Sequence, residues 1–588
     1  MALTEQRNTS ILDRLIFIYG EEMAPQVAEA IEELLGRYEG TLPDGAHGWS
    51  EADAVLIAYG DSILGENPPL ETLGRFLRER VGDSISFVHI LPFYPSTSDD
   101  GFSVVDFREV REDLGGWKDI RNLSRDYRLI FDGVVNHVSA SSSYMKAFAL
   151  GDPAREGFFV AMDPRTDTSA VLRTRNLPLL HEYETSSGSK WLWTTFSRDQ
   201  VDLNYANPAV LLEILDVLLF YVRQGASTIR LDAIPYLWKA LGTSCAHLPQ
   251  THEIIKLIRD VFNVAAPHVL LLTETNVPHR ENISYLGNQG DEAQMIYNFC
   301  LAPLIVWSLF KGDASALTTW ARTLKSIGPH ATYLNITATH DGIGMRPVEE
   351  ILSESERAEL VQLAYDRGGD MTGKRNSDGT VSPYELNISY FDAVNDPRVD
   401  EPVELKVRRF MLSQAIPMAL PGIPGIYIHS LLGSRSDHDG VRRTGRARSI
   451  NRQQLAMREL AGELDDPSCL RVRVFEVYRG MLHLRRQQSA FHPDAPHEIV
   501  DYGPAVFAVR RTNAESGQTL VALHNVTDGD VALNLPGIER DILTGEHFPS
   551  GAVSLSPYQV RWLILEPPLL QKKNSTMGLA VRHQPGTR

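Results

Sequence analysis

Arg230 and Asp232 stand two residues apart in "GASTIRLDAIPYLWK" (225–239), a stretch whose Ile229, Leu231, Ala233 and Ile234 read as a buried strand. Alternate residues of a strand face the same side, so a guanidinium and a carboxylate enter one space. Other apolar runs also end in chemically capable groups. Asp132, Asn136 and His137 end "FDGVVNH", Glu274 ends "LLTET", and His340 and Asp341 end "ATHD". Carboxylates gathered in one pocket repel each other, which raises some of their pKa values. One then stays a protonated acid while another is ionised, the requirement for cleaving a glycosidic bond through a covalent intermediate. Arg230 is expected to hold Asp232 ionised and in position. The competing explanation for Arg230 and Asp232 is a structural ion pair that plugs the mouth of the fold.

Eight short apolar runs must position these groups. They lie at 54–61, 86–93, 128–137, 227–234, 268–275, 293–299, 331–341 and 422–430, and most gaps between them fit a helix, as in "NPAVLLEILDVLLFYVRQG" and "THEIIKLIRDVFNVA". Eight strand–helix units predict an α/β fold, a (β/α)8 TIM barrel, with a doubly wound open sheet as the alternative. In a barrel the strand ends converge on one face. Two gaps exceed one helix, at about 138–200 after strand three and 342–417 after strand seven; such inserts are usually functional. Within the second, "RGGDMTGKRNSDGTVSPYE" reads as a mobile loop. Residues 1–50 read as a helical extension and 51–489 as the barrel with its inserts. Alternating segments mark 490–566 as a C-terminal all-β domain, and 567–588 reads as a disordered tail.

The 588 residues carry a net charge of −18 with 43% hydrophobic content. That balance argues against nucleic-acid or anionic-membrane partners, which require basic patches. Three cysteines, at 245, 300 and 469, make neither a disulfide framework nor a zinc pattern. The N-terminal stretch lacks signal-peptide character and no apolar run is long enough to span a bilayer, so a cytoplasmic location is expected. No Gly-rich cofactor fingerprint stands out.

The ordered motifs "DGVVNH", "QVDLN", "IRLDAI", "LTETN" and "THDGIG" resemble the α-amylase superfamily of retaining glycoside enzymes. "HILPFYPSTSDDGFSVVDF", "GTSCAHLPQ", "LPLLHEY" and "GRARSINR" narrow the resemblance to its sucrose phosphorylase subfamily. The resemblance implies Asp232 as the nucleophile, Glu274 as the acid/base and Asp341 as the third carboxylate, gripping glucosyl hydroxyls. It implies hydroxyl contacts from His137 and His340, and a pocket closed behind one glucose by Asp99 and Arg452. Phosphate, the implied co-substrate, maps onto Arg175 in "LRTRNLP" and Tyr384 in "SPYELN". Glu385 follows, where sucrose phosphorylases typically carry Gln.

"GGDMTGKRNSDGTVSPYELNISYFDA" and "HSLLGSRSDHDGVRRTGRARSINR" look more like the glucosylglycerate phosphorylase branch, which implies glycerate as the leaving alcohol. Lys374, Arg375 and Arg173 are cations available to hold its carboxylate. Sucrose, sucrose 6'-phosphate and glucosylglycerol remain open as donors. A sugar-binding protein without catalysis is the reading from another class. Many α-amylases bind calcium near the "VVNH" asparagine. Calcium takes six or more oxygens, and the 138–200 insert has no Asp-rich ligand loop, so no metal and no organic cofactor are expected.

Overall fold

The computed structural model describes residues 2–175, 177–325, 327–376 and 380–565, leaving the side chains of 2–9 and of Arg375 undescribed. Eight parallel strands close a barrel: β1 (Val55–Ala58), β2 (Phe87–Ile90), β3 (Arg128–Gly133), β4 (Ala226–Leu231), β5 (Leu270–Thr273), β6 (Met295–Tyr297), β7 (Thr332–Ile336) and β8 (Ile423–Tyr427). Seven fall within the apolar runs read from the sequence, and β4 begins one residue before its run, at Ala226. Parallel strands covered on both faces have no polar side to show, so they appear as continuous apolar runs.

The helices seat themselves by local chemistry. In Pro208–Arg223, Asn207 caps the first turn through Ala209 N and Pro208 fills the first turn. At the N-terminus, helices Ala2–Tyr19 and Ala24–Tyr38 lie against the outside of the barrel. Val27, Ile31, Leu34 and Tyr38 make the buried stripe of the second helix. Arg14 joins the first helix to Glu253 and Asp260 of helix Pro249–Ala265, at 2.9 and 2.5 Å.

The insert after β3 carries a hairpin, Leu180–Tyr183 with Lys190–Trp193. The insert after β7 corrects the sequence expectation of a mobile loop. Asp370–Arg375 and Val381–Asn387 form an antiparallel hairpin, extended by Ile343–Gly344. Glycine, lysine and serine at strand positions hid the alternation. A five-stranded antiparallel sheet follows the last long helix, in the order His497–Asp501, Val506–Thr512, Thr519–Asn525, Val560–Leu565, Ile538–Asp541. The tail read as disordered, 567–588, lies outside the described residues. No described helix is long and apolar enough to cross a membrane.

Candidate active site

Strand register sets the carboxylates side by side. Asp132 on β3 is the register partner of Arg230 on β4, and Arg230 in turn is the partner of Leu272 on β5. Two residues further on, Asp232 and Glu274 therefore emerge beside each other at the C-terminal rim. The ladder continues past the strands: Asp232 N donates to Gly133 O and Glu274 N to Leu231 O, each at 3.0 Å.

A buried chain of charges runs below the rim. His89 Nε2 meets Asp132 at 2.8 Å, Arg230 Nη1 donates to Asp132, and the same Nη1 donates to Asp232 Oδ1 at 2.9 Å. Arg230 thus bonds Asp232, as its spacing predicts, and is shared with Asp132. One guanidinium spans two carboxylates, so burial wins at Asp232. Burial raises its carboxyl well above the usual range, Arg230 pulls downward, and Glu274 pushes further up. Glu274 is raised too, by burial against Arg230's pull, with Asp341 adding to the rise. The two carboxyls titrate together. A single shared proton belongs on Glu274, because of these two carboxyls it is Asp232 that bonds the guanidinium, whereas among the described residues Glu274 accepts from Ala233 N, at 3.4 Å. Asp341 behaves oppositely. Burial acts upward, but Arg448 Nη1 at 2.8 Å and the neighbouring Arg452 hold it well below the usual carboxylate range.

Asp232, Glu274, Asp341, Asp99, His137, His340, Arg175, Tyr384 and Glu385 all face one cavity of about 60 Å³, together with Phe102, Gln200 and Arg448. His340 stacks on Phe102 at 5.0 Å, and burial lowers it to about 3, so it is neutral. His137 Nε2 lies 3.0 Å from Phe102 O. Tyr384 lies under the Arg175 guanidinium at 5.1 Å. Arg175 Nη1 is buried without a hydrogen-bond partner among the described residues. A larger hollow of about 800 Å³, lined by Arg128, Ser227 and His268, lies at the opposite end of the barrel, away from this carboxylate set.

Several expected contacts are not formed. Asp99 and Arg452 do not pair: Arg452 bonds Asp100 and donates from Nε to His340 O at 2.8 Å. Asp99 instead accepts from Gln200 at 3.1 Å and faces Arg448 at 3.8 Å. Consecutive left-handed residues, Asp99 at φ 51° and Asp100 at φ 47°, turn these neighbours to different partners. Lys374 does not line the cavity, and its Nζ is bound to Glu349 at 2.7 Å. Arg173 donates to Leu177 O, and the Arg375 side chain is not described.

Sequence reasoning missed Arg448. Its guanidinium clamps Glu385, which is 1% exposed, with Nη2 at 2.7 and 2.8 Å and Nε at 3.1 Å. The available signal was its place as the middle of three arginines in "GRARSINR". Among the described residues, no three His, Cys, Asp or Glu side chains gather as a metal site.

The family description "Alpha amylase, catalytic domain" matches residues 84–340. The glucosylglycerate phosphorylase of Allomeiothermus silvanus is 48% identical over 564 residues, covering 96% of this chain and 100% of that one. The chain belongs to the α-amylase family. A glucosylglycerate phosphorylase of Escherichia coli is 43% identical, over 88% of this chain and 92% of its own. Among solved α-amylase-family folds, the sucrose 6F-phosphate phosphorylase of Thermoanaerobacter thermosaccharolyticum superposes with a TM-score of 0.70 at 23% identity, covering 83% of this chain and 95% of that one.

Proposed function

We propose that the chain is a retaining phosphorylase acting on 2-O-α-D-glucosylglycerate and phosphate, giving α-D-glucose 1-phosphate and D-glycerate. Asp232 attacks the anomeric carbon while Glu274 protonates the departing glycerate oxygen. The glucosyl unit is then held as a β-ester on Asp232. Phosphate attacks next, Glu274 takes its proton, and the second inversion restores the α configuration. Asp341, held ionised by Arg448, grips the sugar hydroxyls, with His137 and His340 beside it.

The observation that carries the reading is Arg175. Phosphate and glycerate are both anions, and the carboxylates of this cavity repel them. Arg448 is committed to Glu385 and Asp341. Among the described residues Arg175 keeps an unpartnered N–H at the cavity, backed by the Tyr384 ring. Guanidinium is suited to both phosphate and carboxylate. Arg175 therefore seats each anion in turn, as a two-step exchange requires. The 48% identity to the Allomeiothermus silvanus enzyme supports glycerate as the alcohol.

The test is formation of α-D-glucose 1-phosphate from glucosylglycerate and phosphate, in the wild type and in Arg175→Ala. Loss of one charge-assisted anion contact, worth about 1.5–3 kcal/mol, should raise the KM for phosphate roughly 10- to 100-fold. No product from the wild type would refute the activity, and an unchanged KM would refute the seat.

A further inference from the structure

Lys239 is a buried charge that the two-step chemistry leaves without a role. Its side chain is 5% exposed and Nζ lies 2.7 Å from Asp202 Oδ2. The same ammonium donates to Asn136 Oδ1 at 3.0 Å and to Tyr236 O at 2.5 Å. All three of its N–H bonds are thus matched by oxygens.

The three acceptors come from three parts of the pocket wall. Asn136 immediately precedes His137. Asp202 ends the strand Gln200–Asp202, which pairs with His137–Ser139 and presents Gln200 to the cavity. Tyr236 ends the turn that follows Asp232. Asp202 is fully buried, and its other bonds come from neutral groups: Thr195 N at 2.8 Å, Thr195 Oγ1 at 2.6 Å and Asn136 Nδ2 at 3.1 Å. Among the described residues Lys239 is the cation paired with it. The turn after Asp232 needs outside support, because Ala233 adopts φ 53° and ψ 30°, a left-handed conformation unfavourable to a residue with a Cβ.

We propose that Lys239 is a positioning residue whose ammonium ties the Asp232 turn to the wall that carries His137 and Gln200. The nucleophile and the hydroxyl-binding groups then keep one spacing. This rests on the reading of Asp232 as the nucleophile. Lys239 touches no reacting atom in that reading; it acts through Asn136, Asp202 and the 233–236 turn.

The test uses Lys239→Ala and Lys239→Met, assayed for kcat and KM beside the wild type, with and without n-propylammonium. That amine supplies the three carbons and the ammonium that alanine lacks. Misplacement of a nucleophile by about 1 Å costs on the order of 100-fold, so kcat/KM for glucosyl donors should fall by that factor in both variants. Partition of the glucosyl-enzyme between phosphate and water should stay unchanged, because Arg175 is untouched. n-Propylammonium should restore activity to the Ala variant saturably, or restore its folding if the bare variant does not fold. A Met variant with wild-type kcat/KM overturns the proposal, as does an Ala variant, folded or not, on which the amine has no effect. An inactive wild type would instead defeat the functional reading, so the two failures are distinct.

Discussion

Replacing Arg448 by leucine should destabilise the protein and disable Asp341 together. Arg448 meets Glu385 through two nitrogens and touches Asp341 through the third. The Glu385 side chain is 2% exposed and Arg448 is 18% exposed. Removing one partner of a buried pair leaves an uncompensated charge, at a cost of about 3–5 kcal/mol. The partial exposure of Arg448 lets water reach the orphan, so about 3 kcal/mol is expected. Removing Glu385 as well eliminates the orphan, and the double variant Glu385→Leu/Arg448→Leu should be more stable than Arg448→Leu alone. Urea unfolding of wild type, both single variants and the double variant measures the coupling. The pH profile gives a second reading. Asp341 is ionised because its carboxyl lies below the usual range, against the effect of burial and chiefly through Arg448. Without Arg448 it takes up a proton at higher pH. The acid limb of kcat/KM should therefore move upward, with activity lost sooner as pH falls. A single variant as stable as wild type, or an unmoved acid limb, would refute the reasoning.

Two further outcomes follow from the packing. Arg485 is 1% exposed and donates to five carbonyls, those of Glu51, Asp53, Met418, Gly422 and Phe491. Arg485→Met strips these partners and should cost about 4 kcal/mol in denaturant unfolding, with kcat per folded molecule unchanged. Lys374→Ala breaks a pair with Glu349 outside the cavity, so the KM for glycerate should stay at its wild-type value; a large rise would return that loop to the acceptor site.

The barrel was legible because its strands are buried on both faces and its carboxylates sit where apolar runs stop. Asp232, Glu274 and Asp341 could be named from that coincidence, and Arg230 from the two-residue spacing. Partnerships across the chain were not legible. That Arg230 is shared with Asp132 depends on β3–β4 register, and that Arg452 takes Asp100 rather than Asp99 depends on two left-handed residues. Arg448 and Glu385 lie far apart in sequence, and neither residue alone signals a clamp. Lys239 follows Asp232 closely, yet its three acceptors come from separate segments. The hairpin Asp370–Arg375 with Val381–Asn387 was hidden because glycine, lysine and serine occupy strand positions there.

The most direct test of the central claim is phosphate release from α-D-glucose 1-phosphate with one acceptor at a time: D-glycerate, fructose, fructose 6-phosphate, glycerol, or none. The account predicts release that requires D-glycerate and disappears in Asp232→Asn. Release with fructose in place of glycerate, or equal release with no acceptor, would contradict it.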